Sequence, residues 1–239
     1  MTHPLIQKLE KRDRLTEAER EAILPAQSPP RRYAAGACFI REGDRPNESC
    51  LVMEGMCGRY NDFEDGRRQI SALHITGDFV DLHSLLLKPM DHGIVALTDC
   101  IIVTVPHEVL RRITEQFPHL ARLLWLSTLI DGAISRQWVV NLGRRSAVAR
   151  LAHLCCELAV RNEVVGLGDK SRFPMPLSQA VLADVLGLSS VHVNRVVQEL
   201  RGAGLLDFQR GWGEIKDWDA LVRFGDFDPA YLRLGSEPV

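Results

Sequence analysis

Residues 177–206, LSQAVLADVLGLSSVHVNRVVQELRGAGLL, admit few local structures. Ser178 caps a predicted helix of about eight residues through Leu186, and Ser189 caps a second that runs to about Arg201. Gly187-Leu188 make the tight turn between them, and Ala183 allows the helices to approach closely. Leu182, Leu188, Val193, Val196 and Val197 supply a small shared core, so the segment is a helix-turn-helix. With Val193, Val196, Val197 and Leu200 turned inward, the second helix presents Ser190, Val191, Asn194 and Arg195 outward, where they can enter a DNA major groove. Arginine suits a bidentate bond to guanine, Asn194 suits adenine or a phosphate, and Val191 offers only a methyl-type contact to thymine. His192 faces either a phosphate or the domain core.

After Gly204, the runs Leu205–Arg210 and Glu214–Trp218 flank Gly211-Trp212-Gly213 and read as the two strands of a wing. Arg210 there can touch a phosphate, which positions a protein without reading sequence. Charge agrees: the chain is −2 overall, yet residues 141–216 hold 10 basic against 7 acidic groups.

Upstream the pattern changes. Residues 32–105 carry short apolar and β-branched runs, Cys38–Ile40, Cys50–Met53, Ile70–Leu73, Ile94–Leu97 and Ile101–Val105. Glycines 43, 55, 66 and 77 punctuate them at the cadence of an antiparallel β-roll, with a hairpin at Asp65-Gly66. Residues 5–24 alternate apolar and charged groups as one short amphipathic helix. Pro118 opens a long helix to about Asn141, on which Leu120, Leu123, Ser127, Ile130 and Ile134 fall at 3-4-3-4 spacing. That stripe either pairs two chains or packs on its own β domain. A hinge is expected at residues 141–146, where Ser146 caps the next helix. The fold class is therefore α+β: residues 1–117 a jelly-roll-like β domain with an N-terminal helix, 118–142 the long helix and hinge, 143–239 a winged helix-turn-helix. No apolar run is long enough for a membrane helix and the first fifteen residues are too charged for a signal peptide, so a cytoplasmic protein without a membrane partner is expected. The six cysteines form no CxxC pair and are expected to be reduced and mostly buried.

A β-roll, long helix, hinge and winged helix-turn-helix in this order resemble the Crp/Fnr family of bacterial transcription regulators, over roughly residues 20–225. The specific match is Leu182-Ala183-Asp184 through Gly187-Leu188-Ser189 to Val193-Asn194-Arg195, then Glu199-Leu200-Arg201 and Ala203-Gly204-Leu205. The resemblance implies that Arg195 reads a base, that Ser178 and Ser189 contact phosphate, and that the β-roll is cyclic-nucleotide-binding-like. It also implies that the stripe from Leu120 to Ile134 makes a parallel homodimer, that double-stranded DNA with an inverted repeat is the partner, that RNA polymerase is a further one, and that activation is the commoner outcome. No catalytic activity is implied. Val191 stands where many members carry a glutamate that accepts from cytosine.

The family's nucleotide grip maps onto Asp81, Leu82, His83 and Met90, a set that lacks the expected glutamate and arginine, so no cyclic nucleotide is expected and the effector is left open. Clustered N-terminal cysteines are missing before Cys38, which argues against an iron–sulfur cluster. His74, His83 and His92 recur every nine residues, a spacing that puts successive residues on opposite faces of one strand, so neither metal nor other cofactor is expected. A haem or small-molecule sensor acting through a protein partner is the alternative reading, and a cupin-like metalloenzyme a third that the missing HxH pair disfavours.

Overall fold

The computed structural model describes residues 3–235. Two compact units form, one from described residues up to 61, 72–132 and from 233 on, the other from 62–71 and 133–232. Two helices begin the chain, α1 (Pro4–Glu10) and α2 (Glu17–Ile23), where one was expected. The reason is local: Thr16 and Glu19 close a capping box, which starts a new helix there.

Seven strands follow: β1 (Arg31–Tyr33), β2 (Cys38–Ile40), β3 (Glu48–Glu54), β4 (Met56–Asp62), β5 (Arg68–Ile75), β6 (Gly93–Ala96) and β7 (Cys100–Pro106). They make two sheets, ordered β1-β7-β3 and β2-β6-β4-β5, in which β1 and β3 pair with β7, and β2 and β4 with β6, all antiparallel. All four punctuating glycines adopt the left-handed backbone that the turn reading requires. Inside, Leu51, Val103 and Val105 pack with α1, α2 and the next two helices, α3 (His107–Gln116) and the start of α4 (Pro118–Arg144). A second core holds Val52, Cys57, Met90, Ile94 and Ile102.

The other unit contains α5 (Ala147–Val164), β8 (Arg172–Pro174), α6 (Gln179–Leu186), α7 (Ser190–Gly202), β9 (Leu206–Gln209), β10 (Trp212–Ile215) and α8 (Trp218–Gly225). Ser146 caps α5 as expected, its hydroxyl accepting from Ala149 N at 3.2 Å. The helix before it runs on to Arg144 rather than ending near Asn141, since a single glycine, Gly143, is tolerated inside a helix.

Candidate nucleic-acid interface

Helices α6 and α7 meet at 95°. Ser178 Oγ accepts from Val181 N and Ser189 Oγ from His192 N, both at 3.2 Å, so each serine caps its helix through its side chain. Gly187 ends α6 with φ 64°, a conformation that costs glycine nothing. Arg150 of α5 donates to the Leu186 carbonyl at the end of α6 and fixes the pair against α5. Burial follows the expected pattern: Val193, Val196, Val197 and Leu200 are inside, while Ser190, Val191, Asn194 and Arg195 are exposed. Val191 is 83% exposed, which gives it no packing role. Arg195 and Asn194 have no partner among the described residues, so their hydrogen-bonding groups point to solvent ready for a ligand. Gln198 is also exposed and, at i+3 from Arg195, extends the same face. Gln198 was not among the expected residues, although helical spacing from Val191 through Asn194 points to it. His192 is half-buried, between the two roles left open for it.

The wing has three strands rather than two, in the order β8-β10-β9. Its tip is the two-residue turn Arg210-Gly211, both at positive φ (49° and 81°), the turn that matches strand twist, so Trp212 belongs to β10 and not to the tip. Arg210 is exposed there, and Arg172 lies over the Trp212 ring at 4.4 Å, a cation–π contact the sequence did not reveal. The tip of the Phe173 ring packs against Gly213, where a Cβ would come within 2.5 Å of it.

The expected dimer stripe lies mostly inside the protomer. Leu120, Leu123, Ile130 and Ile134 are buried within the chain itself, and Ser127 is half-buried with its hydroxyl returned to the Leu123 carbonyl. Leu120 and Leu123 belong to the core beneath β3 and β7, the packing alternative left open by periodicity. A different stripe of α4 is free: Trp125, Leu129, Gly132, Arg136 and Val139, at 4-3-4-3 spacing, with Trp125 66%, Leu129 53% and Val139 70% exposed.

Of the residues expected around an effector, three are taken up by the protein's own packing. Asp81 is buried and its Oδ1 accepts from Cys50 N at 2.6 Å, Leu82 packs on the first core, and Met90 lies inside the second. Burial raises the Asp81 carboxyl to about 7. His83 instead faces His92, ring centroids 5.2 Å apart, which the alternation argument did not foresee. The segment is not one continuous strand: His83 sits in a 3-10 turn (Leu82–Leu85) and His92 just before β6. The six cysteines are free and five are not exposed. Burial lifts the Cys156 thiol to about 12, leaving little reactive thiolate, and raises Cys155 as well.

Residues 30–117 match the cyclic nucleotide-binding domain family and residues 149–224 the Crp-like helix-turn-helix domain family. A probable transcriptional activator of Rhizobium leguminosarum bv. viciae is 31% identical over 176 residues, 74% of this chain and 72% of that protein. The transcriptional activator protein FnrL of Cereibacter sphaeroides is 28% identical over 179 residues, covering 74% and 71% of the two chains. Among solved structures, FixK2 from Bradyrhizobium japonicum superposes with a TM-score of 0.72 at 24% identity, over 82% of this chain and 96% of that one.

Proposed function

Because this chain belongs to the Crp/Fnr family of DNA-binding transcription regulators, which are not enzymes, we propose that it works as a homodimer that reads an inverted-repeat operator through α7. The observation that carries this is the free face of α7: a large apolar side chain, Val191, 83% exposed beside Asn194 and Arg195, whose polar ends have no partner among the described residues. In this reading Ser190, Val191, Asn194 and Arg195 meet base edges, while Ser178, Ser189, His192 and Arg210 lie along phosphates. The exposed stripe Trp125, Leu129 and Val139 pairs the two copies. Two recognition helices then fall about one helical turn of DNA apart. Activation through RNA polymerase is proposed because FnrL is named an activator and the Rhizobium relative a probable one. A cytoplasmic location follows from that partner, and no single helix among the described residues is long and apolar enough to cross a membrane.

Arg195→Ala tests the reading. Loss of a bidentate arginine–guanine pair costs about 1–3 kcal/mol of discrimination. A titration of operator and random duplex, after selection of the operator from a random pool, should show preference lost and salt-sensitive non-specific binding retained. Full discrimination by the variant would remove Arg195 from the base-reading set.

A further inference from the structure

The β-roll unit brings together three donor groups that the DNA reading leaves unused. His83, Asp91 and His92 each offer one ligand atom, and these atoms all lie within 4.8 Å of one another. The imidazoles are tilted at 44° with centroids 5.2 Å apart. His92 is 5% exposed, and the Nε2 atoms of both His92 and His83 are buried without a hydrogen-bond partner among the described residues. Buried imidazole nitrogens ordinarily have partners, so two orphans beside a carboxylate need an explanation. Asp91 Oδ1 meets His92 Nδ1 at 2.6 Å, which holds the ring in place.

We propose that His83, His92 and Asp91 form a binding site for one divalent transition-metal ion of the zinc class in the β-roll. Two imidazole nitrogens and one carboxylate oxygen, with remaining positions left to water, suit zinc, cobalt, nickel or ferrous ions and not the all-oxygen cages of calcium or magnesium. Metal–ligand bonds of about 2.0–2.1 Å put tetrahedral donors roughly 3.3 Å apart. Closing the trio thus asks for about 1.5 Å of approach at most, and Asp91, the exposed member, has a second carboxylate oxygen to offer while the first stays on His92. Both imidazoles are held below their ordinary pKa chiefly by burial, His83 at about 4, so their lone pairs are unprotonated at neutral pH. Arg59 is the opposing charge. Its guanidinium bears on both rings, yet it pairs with Asp131 of α4 at 2.9 Å, while Asp91 supplies the anion on the histidine side. An ion here therefore lies beside the tie that Arg59 makes between β4 and α4.

The test uses the full chain, stripped by a chelator and titrated with Co²⁺ for its ligand-field absorption and with Zn²⁺ against a chromophoric chelator. The expected result is one ion per chain, with affinity lowered at least about 10–100-fold by Asp91→Asn and lost in His83→Ala/His92→Ala, while His192→Ala binds as the parent does. His83→Asn, which keeps the side chain polar, guards against a folding defect: its circular dichroism should match the parent, and Zn²⁺ should raise the melting temperature of the parent but not of the variant. Less than one ion per chain, or unchanged cobalt bands and zinc affinity in the double variant, overturns the proposal. None of these readouts uses DNA, so their failure leaves the role of α7 standing.

Discussion

Glu157 of α5 is fully buried, 0% exposed, and collects three donors from different parts of its unit. Arg161 Nη1 reaches it at 2.9 Å from one turn along, Trp138 Nε1 of α4 at 3.3 Å, and the Tyr231 hydroxyl at 2.8 Å. This cluster pins the last turns of α4 to α5, the helix against which α6 and α7 pack. Glu157→Gln keeps the shape and one acceptor but takes the carboxylate away from a guanidinium that is only 7% exposed. Breaking a buried pair from one side costs about 3–5 kcal/mol. For a chain of this size each kcal/mol lowers Tm by about 2–4 °C, so the variant should melt roughly 6–20 °C lower. Three of the four tryptophans (138, 212 and 218) lie in this unit, so their fluorescence follows its unfolding while circular dichroism follows the whole. Adding Arg161→Met should recover most of the loss, because removing both charges is often nearly neutral. A loss under about 1 kcal/mol for Glu157→Gln, or a double variant no more stable than the single, would refute the claim that charge compensation at Glu157 holds the pin.

Other outcomes follow from the same geometry. Leu129→Glu and Val139→Glu alter exposed positions, so each should leave the protomer folded; in sedimentation each should shift dimer to monomer and lose operator binding, and a persistent dimer would exclude this stripe. Arg210→Ala should weaken operator and random duplex alike and lower the slope of log affinity against log salt by about 1; a change in sequence preference would instead make the wing a reader. Asp81 gives a pH signature. Its carboxyl, held near about 7 by burial, keeps its proton in the folded chain where the unfolded chain has already released it. Its contribution to stability is therefore lost as pH rises from about 4 towards 7. Asp81→Asn should flatten that fall relative to the parent in urea titrations across the window, and identical pH profiles would show the carboxyl to be ionised in the fold.

The helix-turn-helix was legible because its information is local. Ser178, Gly187 and Ser189 act on their own neighbours, and the alternation of Val193 and Val196 with Asn194 and Arg195 needs no knowledge of the rest of the chain. The strand cadence was legible for the same reason, each turn glycine answering to its own φ. Strand β8 was not: Arg172–Pro174 is only three residues long and ends in a proline, and it exists because Trp212, Gly213 and Glu214 lie opposite it and Phe173 fills the space above Gly213. Glu157 did leave a trace, a lone carboxylate in the apolar run LAHLCCELAV, but its partners Trp138 and Tyr231 are 19 and 74 residues away.

Helix α4 and the histidine pair show where local reading stops. A 27-residue helix with apolar groups on more than one face satisfies a 3-4 repeat in two registers, and period alone assigns neither to the interior. Within the β-roll unit, Leu51, Val103 and Val105 of β3 and β7 take up Leu120 and Leu123, while Trp125 and Leu129 stay exposed. Whatever pairs α4 with a second copy must use what that choice leaves over. His83 and His92 obey the same logic in reverse. Nine residues apart on one strand they would diverge, but a 3-10 turn followed by the return into β6 folds the segment back on itself and makes them neighbours. Position along a strand fixes a side chain's face only while the strand continues, so residue spacing across an unrecognised turn carries no exclusion, and an argument against a metal site built on it fails at that turn.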